Sequence, residues 1–107
     1  MGISGIPEDP SKRAQYQKEV KEGVKVFEES FKGLQGTNLP PKREEYEKSI
    51  DMSLEALNDL AKALFNQKMM KMKDRLDTDY HQYLQNPSDE NRMKVEKDLE
   101  NLKKEAQ

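Results

Sequence analysis

The feature that most constrains this chain is a run of eleven apolar residues, Tyr46, Ile50, Leu54, Leu57, Ala61, Phe65, Met69, Met72, Leu76, Tyr80 and Tyr83. They are spaced three or four apart with no proline or glycine between them. Such spacing lines one face of an α-helix and matches no face of a strand. The ten steps cover 37 positions, a mean of 3.7, against about 3.6 for an ideal helix, so the apolar face creeps around the axis. Residues before and after Leu64 therefore face directions roughly a quarter turn apart. Either the helix bends near Asn66 to Lys68, or its two halves meet different partners.

Two shorter stripes flank the long one. Tyr16, Val20, Val24, Phe27, Phe31 and Leu34 mark a first helix over 10–34, with Asp9 as N-cap and Pro10 at the first helical position, where its missing N–H does no harm. Gly23 lies along the same side, where an absent side chain would let another helix approach; Val26 is off the stripe, and Gly33 or Gly36 would end the helix. The long pattern begins at Pro41 and extends as far as Gln85. Val95, Leu99, Leu102 and Ala106 mark a third helix over 87–105, with Asn86 as N-cap, Pro87 at the first position, and Asp89 and Glu90 where the helix dipole favours acids. No stretch alternates apolar and polar residues as a half-buried strand would. The expectation is an all-α fold: a small helical bundle or antiparallel helical hairpin with a long central helix and a short third one. Residues 9–107 would form a single helical domain behind a flexible segment, 1–8.

Such stripes are needed to make a folded protein of this composition, since 33% hydrophobic and 37% charged residues would by average alone suit a disordered chain. The core they can form is small for 107 residues, so marginal stability or self-association is expected. A net charge of −2 gives no bulk field to recommend nucleic acid or an anionic membrane. The absence of cysteine excludes disulfides and thiolate metal sites and suits a reducing, cytoplasmic setting. No stretch approaches the roughly 20 apolar residues that span a bilayer, and the N-terminal residues lack the pattern of an export signal.

Chemistry-bearing constellations are scarce. The single histidine, His81, shares a helix face with Asp77, but a third metal ligand is missing nearby, and no cofactor is expected. "KGLQG" lacks the Lys-Ser/Thr of a phosphate loop and reads as a helix stop. From Ala61 to Lys73 there is no acid and there are four lysines, a strip that could touch phosphates but is more simply a solvated face.

The methionines of "FNQKMMKMKDR" divide by geometry. Met69 and Met72 continue the long stripe as adaptable core filler. Met70 projects nearly opposite, on the side of Met52, Ala56 and Ala63, and these form a second, weaker apolar streak. Methionine suits surfaces that accept helical partners by repacking. The expected partner-binding residues are therefore Phe65, Met69, Met70 and Met72, with Met52 and Ala63 on the streak and Lys68, Lys71 and Lys73 at its rim.

The segment "YLQNPSDENRMKVEKDLENL", a Pro-Ser-Asp turn between two amphipathic helices, resembles the helix-turn-helix needle subunits of type III secretion systems over about twenty residues. The resemblance implies self-assembly. The long N-terminal helix and the short stretch after the second arm depart from it. The reading of the whole chain is a non-catalytic helical adaptor, chaperone or assembly factor that presents helix faces to a protein partner. A self-assembling structural subunit, such as one of a secretion-type apparatus, is the alternative, and a basic-helix nucleic-acid binder is the second alternative.

Overall fold

The computed structural model describes residues 10–106 as four helices, α1 Pro10–Gln35, α2 Pro40–Ala63, α3 Gln67–Gln85 and α4 Asp89–Glu105. The expected N-cap Asp9 and the segment 1–8 lie outside the described residues. No strand occurs among those described, and the all-α expectation holds. The long central helix does not: it is two helices that meet at Leu64–Asn66. A continuous helix over 41–85 would be about 68 Å long, whereas the longest dimension of the molecule is 53 Å. Its second half would have projected past the end of α1 with nothing to bury its stripe.

Adjacent helices pack in a ring, α1 on α2, α2 on α3, α3 on α4 and α4 on α1. This is the neighbour pattern of an up-and-down four-helix bundle. In the first hairpin, the Ser30 hydroxyl donates to that of Ser49 at 2.9 Å, and Gly23 lies against Leu57. These pairs fix an antiparallel register, and they are small on at least one side, which lets the backbones approach closely. A Cβ on Gly33 would come within 2.5 Å of the Tyr46 ring, so the ring occupies the space that the glycine leaves. The predicted role of Gly23 as a point of close approach is therefore shared with Gly33, which lies inside α1. The helix closes at Gly36, whose amide donates to the carbonyls of Lys32 and Gly33 at 3.1 Å.

Large aromatic side chains fill the space between the two hairpins. Tyr80 meets Phe27 edge-on with ring centroids 5.5 Å apart, and Tyr83 meets Phe31 at 4.9 Å. Such T-shaped pairs contribute about 0.5–1.5 kcal/mol each beyond the area they bury. Around them lie Val20, Val24, Leu34, Ile50, Leu57, Leu76, Val95, Leu99 and Leu102, all buried. Every stripe residue of the first and last helices is buried except Tyr16, which is half-buried against the core.

Two local expectations need correction. Phe65 belongs by spacing to the core stripe, yet it is 59% exposed, and Leu64 beside it takes the buried place. The helix break turns the chain between those two residues and exchanges their roles. The N-cap of α4 is Ser88, whose hydroxyl accepts from the Asn91 amide at 3.1 Å, while Asn86 closes α3. Pro87 is thus a linker residue between the two caps, and not the first residue of α4.

Because Phe27 is fully buried and Val26 is 43% exposed, truncating these neighbours should separate them sharply. Phe27→Ala is expected to lower the unfolding free energy in urea by about 3–5 kcal/mol, and Val26→Ala to change it by under about 0.5 kcal/mol. Similar losses for both would contradict this assignment of the core.

Candidate functional site

The corner between α2 and α3 is built from backbone hydrogen bonds. At the end of α2, the Asn66 amide donates to the Ala61 carbonyl at 3.1 Å and the Phe65 amide to the Lys62 carbonyl at 3.0 Å. This pair of bonds is the Schellman closure of a helix, which places the residue after the cap in the left-handed region, usually a glycine. Here that residue is Phe65, with φ of 53°. A side chain there crowds its own backbone by roughly 1–2 kcal/mol.

Asn66 immediately starts the next helix. Its side-chain oxygen accepts from the Met69 amide at 2.9 Å, capping α3, and its Nδ2 donates to Glu105 of α4 at 3.0 Å. Lys68 reaches the same Glu105 carboxylate at 3.4 Å. One asparagine therefore ends a helix, begins another, and ties the reversal to a third. The Phe65 ring sits on the outside of this fixed corner. With Ala61, Lys62, Asn66, Gln67 and Met70 it lines a shallow cleft whose surface is mostly apolar.

The expected partner-binding residues are dispersed by the reversal. Phe65 and Met70 come together at the corner. Met52, 65% exposed on α2, is not joined to them: on an unbroken helix it would share a face with Met70 about five turns on, but the break ends that alignment. Ala63, half-buried, is the last residue of α2. Met69 is 1% exposed and belongs to the core. Met70 is itself half-buried against the core, so its exposed part only borders the cleft. Met72, Lys68 and Lys71 line a different groove, between α3 and α4, with Arg75, Asp98 and Asn101. Lys73 is largely covered, with its ammonium 2.7 Å from Asp74.

His81 lies on the exposed side of α3, with Nδ1 2.9 Å from the Asp77 carboxylate and 2.8 Å from the Asp77 carbonyl. Among the described residues no group of three or more His, Cys, Asp or Glu side chains converges as a metal site would require. No described helix is long and apolar enough to cross a membrane. No protein-family profile, curated protein or solved structure matches the chain.

The conformation of Phe65 was the signal that spacing could not give. A stripe counts it as one more buried residue, and its exposure follows only from the left-handed turn. Neighbouring substitutions should respond in opposite ways. Asn66→Ala is expected to lower stability by about 1–2 kcal/mol, because the cap of α3 is lost. Phe65→Gly should remain within about 1 kcal/mol of the native chain, since relief of the left-handed strain offsets the lost contact. Thermal unfolding followed by far-UV circular dichroism measures both; a larger loss at Phe65 would mark it as a structural residue.

Proposed function

We propose that the chain is a non-catalytic helical interaction module that docks a protein partner at the α2–α3 corner. The observation that carries this reading is Phe65, a large apolar side chain that is exposed and held in a conformation where glycine is cheaper. Each property disfavours the free protein, and strain of this sort at an exposed position is a pointer to binding. A partner that covers the ring would recover its hydrophobic area, while the rigid corner presents it with little loss of freedom. Met70 supplies an adaptable edge to the cleft, and Lys62 a charged rim.

Two features weigh against the other readings. The four stripes close on one another within a single chain, so the faces they form are covered without a second copy. In the basic strip, Lys68 is engaged with Glu105 and Lys73 with Asp74, which removes charge that phosphate contacts would use. An adaptor or chaperone role in a reducing, cytoplasmic setting fits both points.

A photo-crosslinking phenylalanine analogue at position 65, expressed in the source cell, tests the reading against the same analogue at Met93, which is also exposed, 59%, but far from the corner along the bundle. A discrete adduct with another protein is expected from position 65 and not from position 93, and Met70→Asp should diminish it. Adducts formed only with a second copy of the chain, accompanied by concentration-dependent sedimentation, would replace this reading with self-assembly. Identical adduct patterns from both positions would remove the corner as the site.

A further inference from the structure

The groove between α3 and α4 sets a row of cations against a buried acid. Lys68, Lys71 and Arg75 recur at steps of three and four, so they share one face of α3. Across from them α4 contributes Asp98 and Asn101, and with Met72 these residues line a space of about 180 Å³. The ties from Asn66 and Lys68 to Glu105 fix the antiparallel register of the two helices. Continued along the groove, that register sets Lys71 level with Asn101 and Arg75 level with Asp98.

The charges of the groove are incompletely matched. Lys68 is engaged by Glu105 at 3.4 Å, whereas Lys71 and Arg75 form no ion pair among the described residues. Asp98 is 6% exposed, and among the described residues no donor reaches its Oδ2. A buried carboxylate oxygen without a donor is costly. The broad terminal torsion of an aspartate lets the group turn either oxygen toward the groove. The walls thus offer an anion two unpaired cations and the side-chain amide of Asn101, and beside them an acceptor that lacks a donor.

We propose that this groove binds a small hydroxylated phosphate, with the phosphate between Lys71, Arg75 and the Asn101 amide and a hydroxyl donating to Asp98. Two unpaired cations match a dianion, which favours phosphate over a single carboxylate. The hydroxyl is required because an anion alone would meet the Asp98 charge with nothing to satisfy it. Asp98 and Asn101 are three residues apart on α4, a rise of about 4.5 Å, so the two groups of the ligand lie close together. The space is smaller than the roughly 300–1,000 Å³ of pockets for drug-sized ligands, so the occupant has few atoms. This groove is separate from the Phe65 cleft, and the proposal does not rest on a partner docking there.

An NMR titration of the backbone amides of the full chain, at low salt, tests the proposal with sn-glycerol 3-phosphate, inorganic phosphate and glycerol. Burial pushes the Asp98 carboxyl up to about 7 from its ordinary 3.8, so a pH of about 8 keeps it mainly ionised and able to accept. Glycerol 3-phosphate should shift the amides of Lys71, Met72 and Asn101 with an affinity about tenfold above that of phosphate, and glycerol should shift none of them. Lys71→Gln should weaken both anions. Asp98→Ala should tighten phosphate, by removing a like charge, and abolish the preference for glycerol 3-phosphate, with far-UV circular dichroism unchanged; a folding defect would instead weaken both. Vesicles containing phosphatidylinositol 4-phosphate separate two sources of the group: Asp98-dependent cosedimentation assigns a lipid headgroup, and its absence beside glycerol 3-phosphate binding assigns a free solute. Equal affinity of the native chain for glycerol 3-phosphate and phosphate, shifts spread over lysines outside the groove, or a preference retained in Asp98→Ala would overturn the proposal.

Discussion

The reversal at Leu64–Asn66 is the constraint on which the rest of the structure depends. A stripe of eleven apolar residues is an advantage only where something covers it, and α1 is long enough to cover only its first half. Turning the chain back brings Met69, Leu76 and Tyr80 over the same core that Ile50, Leu54 and Leu57 already form. No proline or glycine causes the break. It arises from local hydrogen bonds, the Schellman closure and the Asn66 cap, which satisfy the donors and acceptors that a broken helix leaves exposed. The left-handed phenylalanine is the strained element in that arrangement, tolerated because the core recovered on both sides of it is much larger.

Side-chain size then sets the spacing of the bundle. Within the first hairpin, Gly23, Ser30, Gly33 and Ser49 let α1 and α2 approach closely, and the Ser30–Ser49 hydrogen bond satisfies the polar atoms placed there. Between the hairpins, Phe27, Phe31, Tyr80 and Tyr83 hold the helices further apart and interlock edge to face. The bundle is thus two tight pairs separated by an aromatic layer. A substitution in the layer should disturb all four helices, whereas one in a seam acts first on its own pair.

Much of this fold was legible in the sequence because it rests on periodicity. The stripes of α1 and α4 are buried almost residue for residue, and the drift of the long stripe marked Asn66 as the region where its two halves diverge. What periodicity cannot distinguish is a bend from a full reversal, because both begin with the same change of facing direction. Phe65 illustrates the limit: its spacing assigns it to the core, and one backbone dihedral moves it to the surface. The same turn separates Met52 from Met70, so a streak that is continuous on paper is two unrelated patches in the folded chain. Asp98 was not legible at all, since a lone acid beside a stripe usually faces water, and its burial depends on how closely α3 and α4 approach.

Phe65 and Asp98 are both features that a fold selected for stability alone would not need, yet they differ in kind. Glycine at the corner would remove the strain while leaving every hydrogen bond of the Schellman closure in place, so the ring contributes nothing that the turn requires. An apolar residue at position 98 would remove a buried acid whose Oδ2 has no hydrogen-bond donor among the described residues, so the acid is a cost to the seam between α3 and α4. The first is a cost that the proposed partner would offset by covering the ring, and the second is a cost of burial that raises the affinity of the carboxyl for a proton. Because the corner is tied to α4 through Asn66 and Glu105, loosening of α4 would also release one of the contacts that fix Phe65 in position.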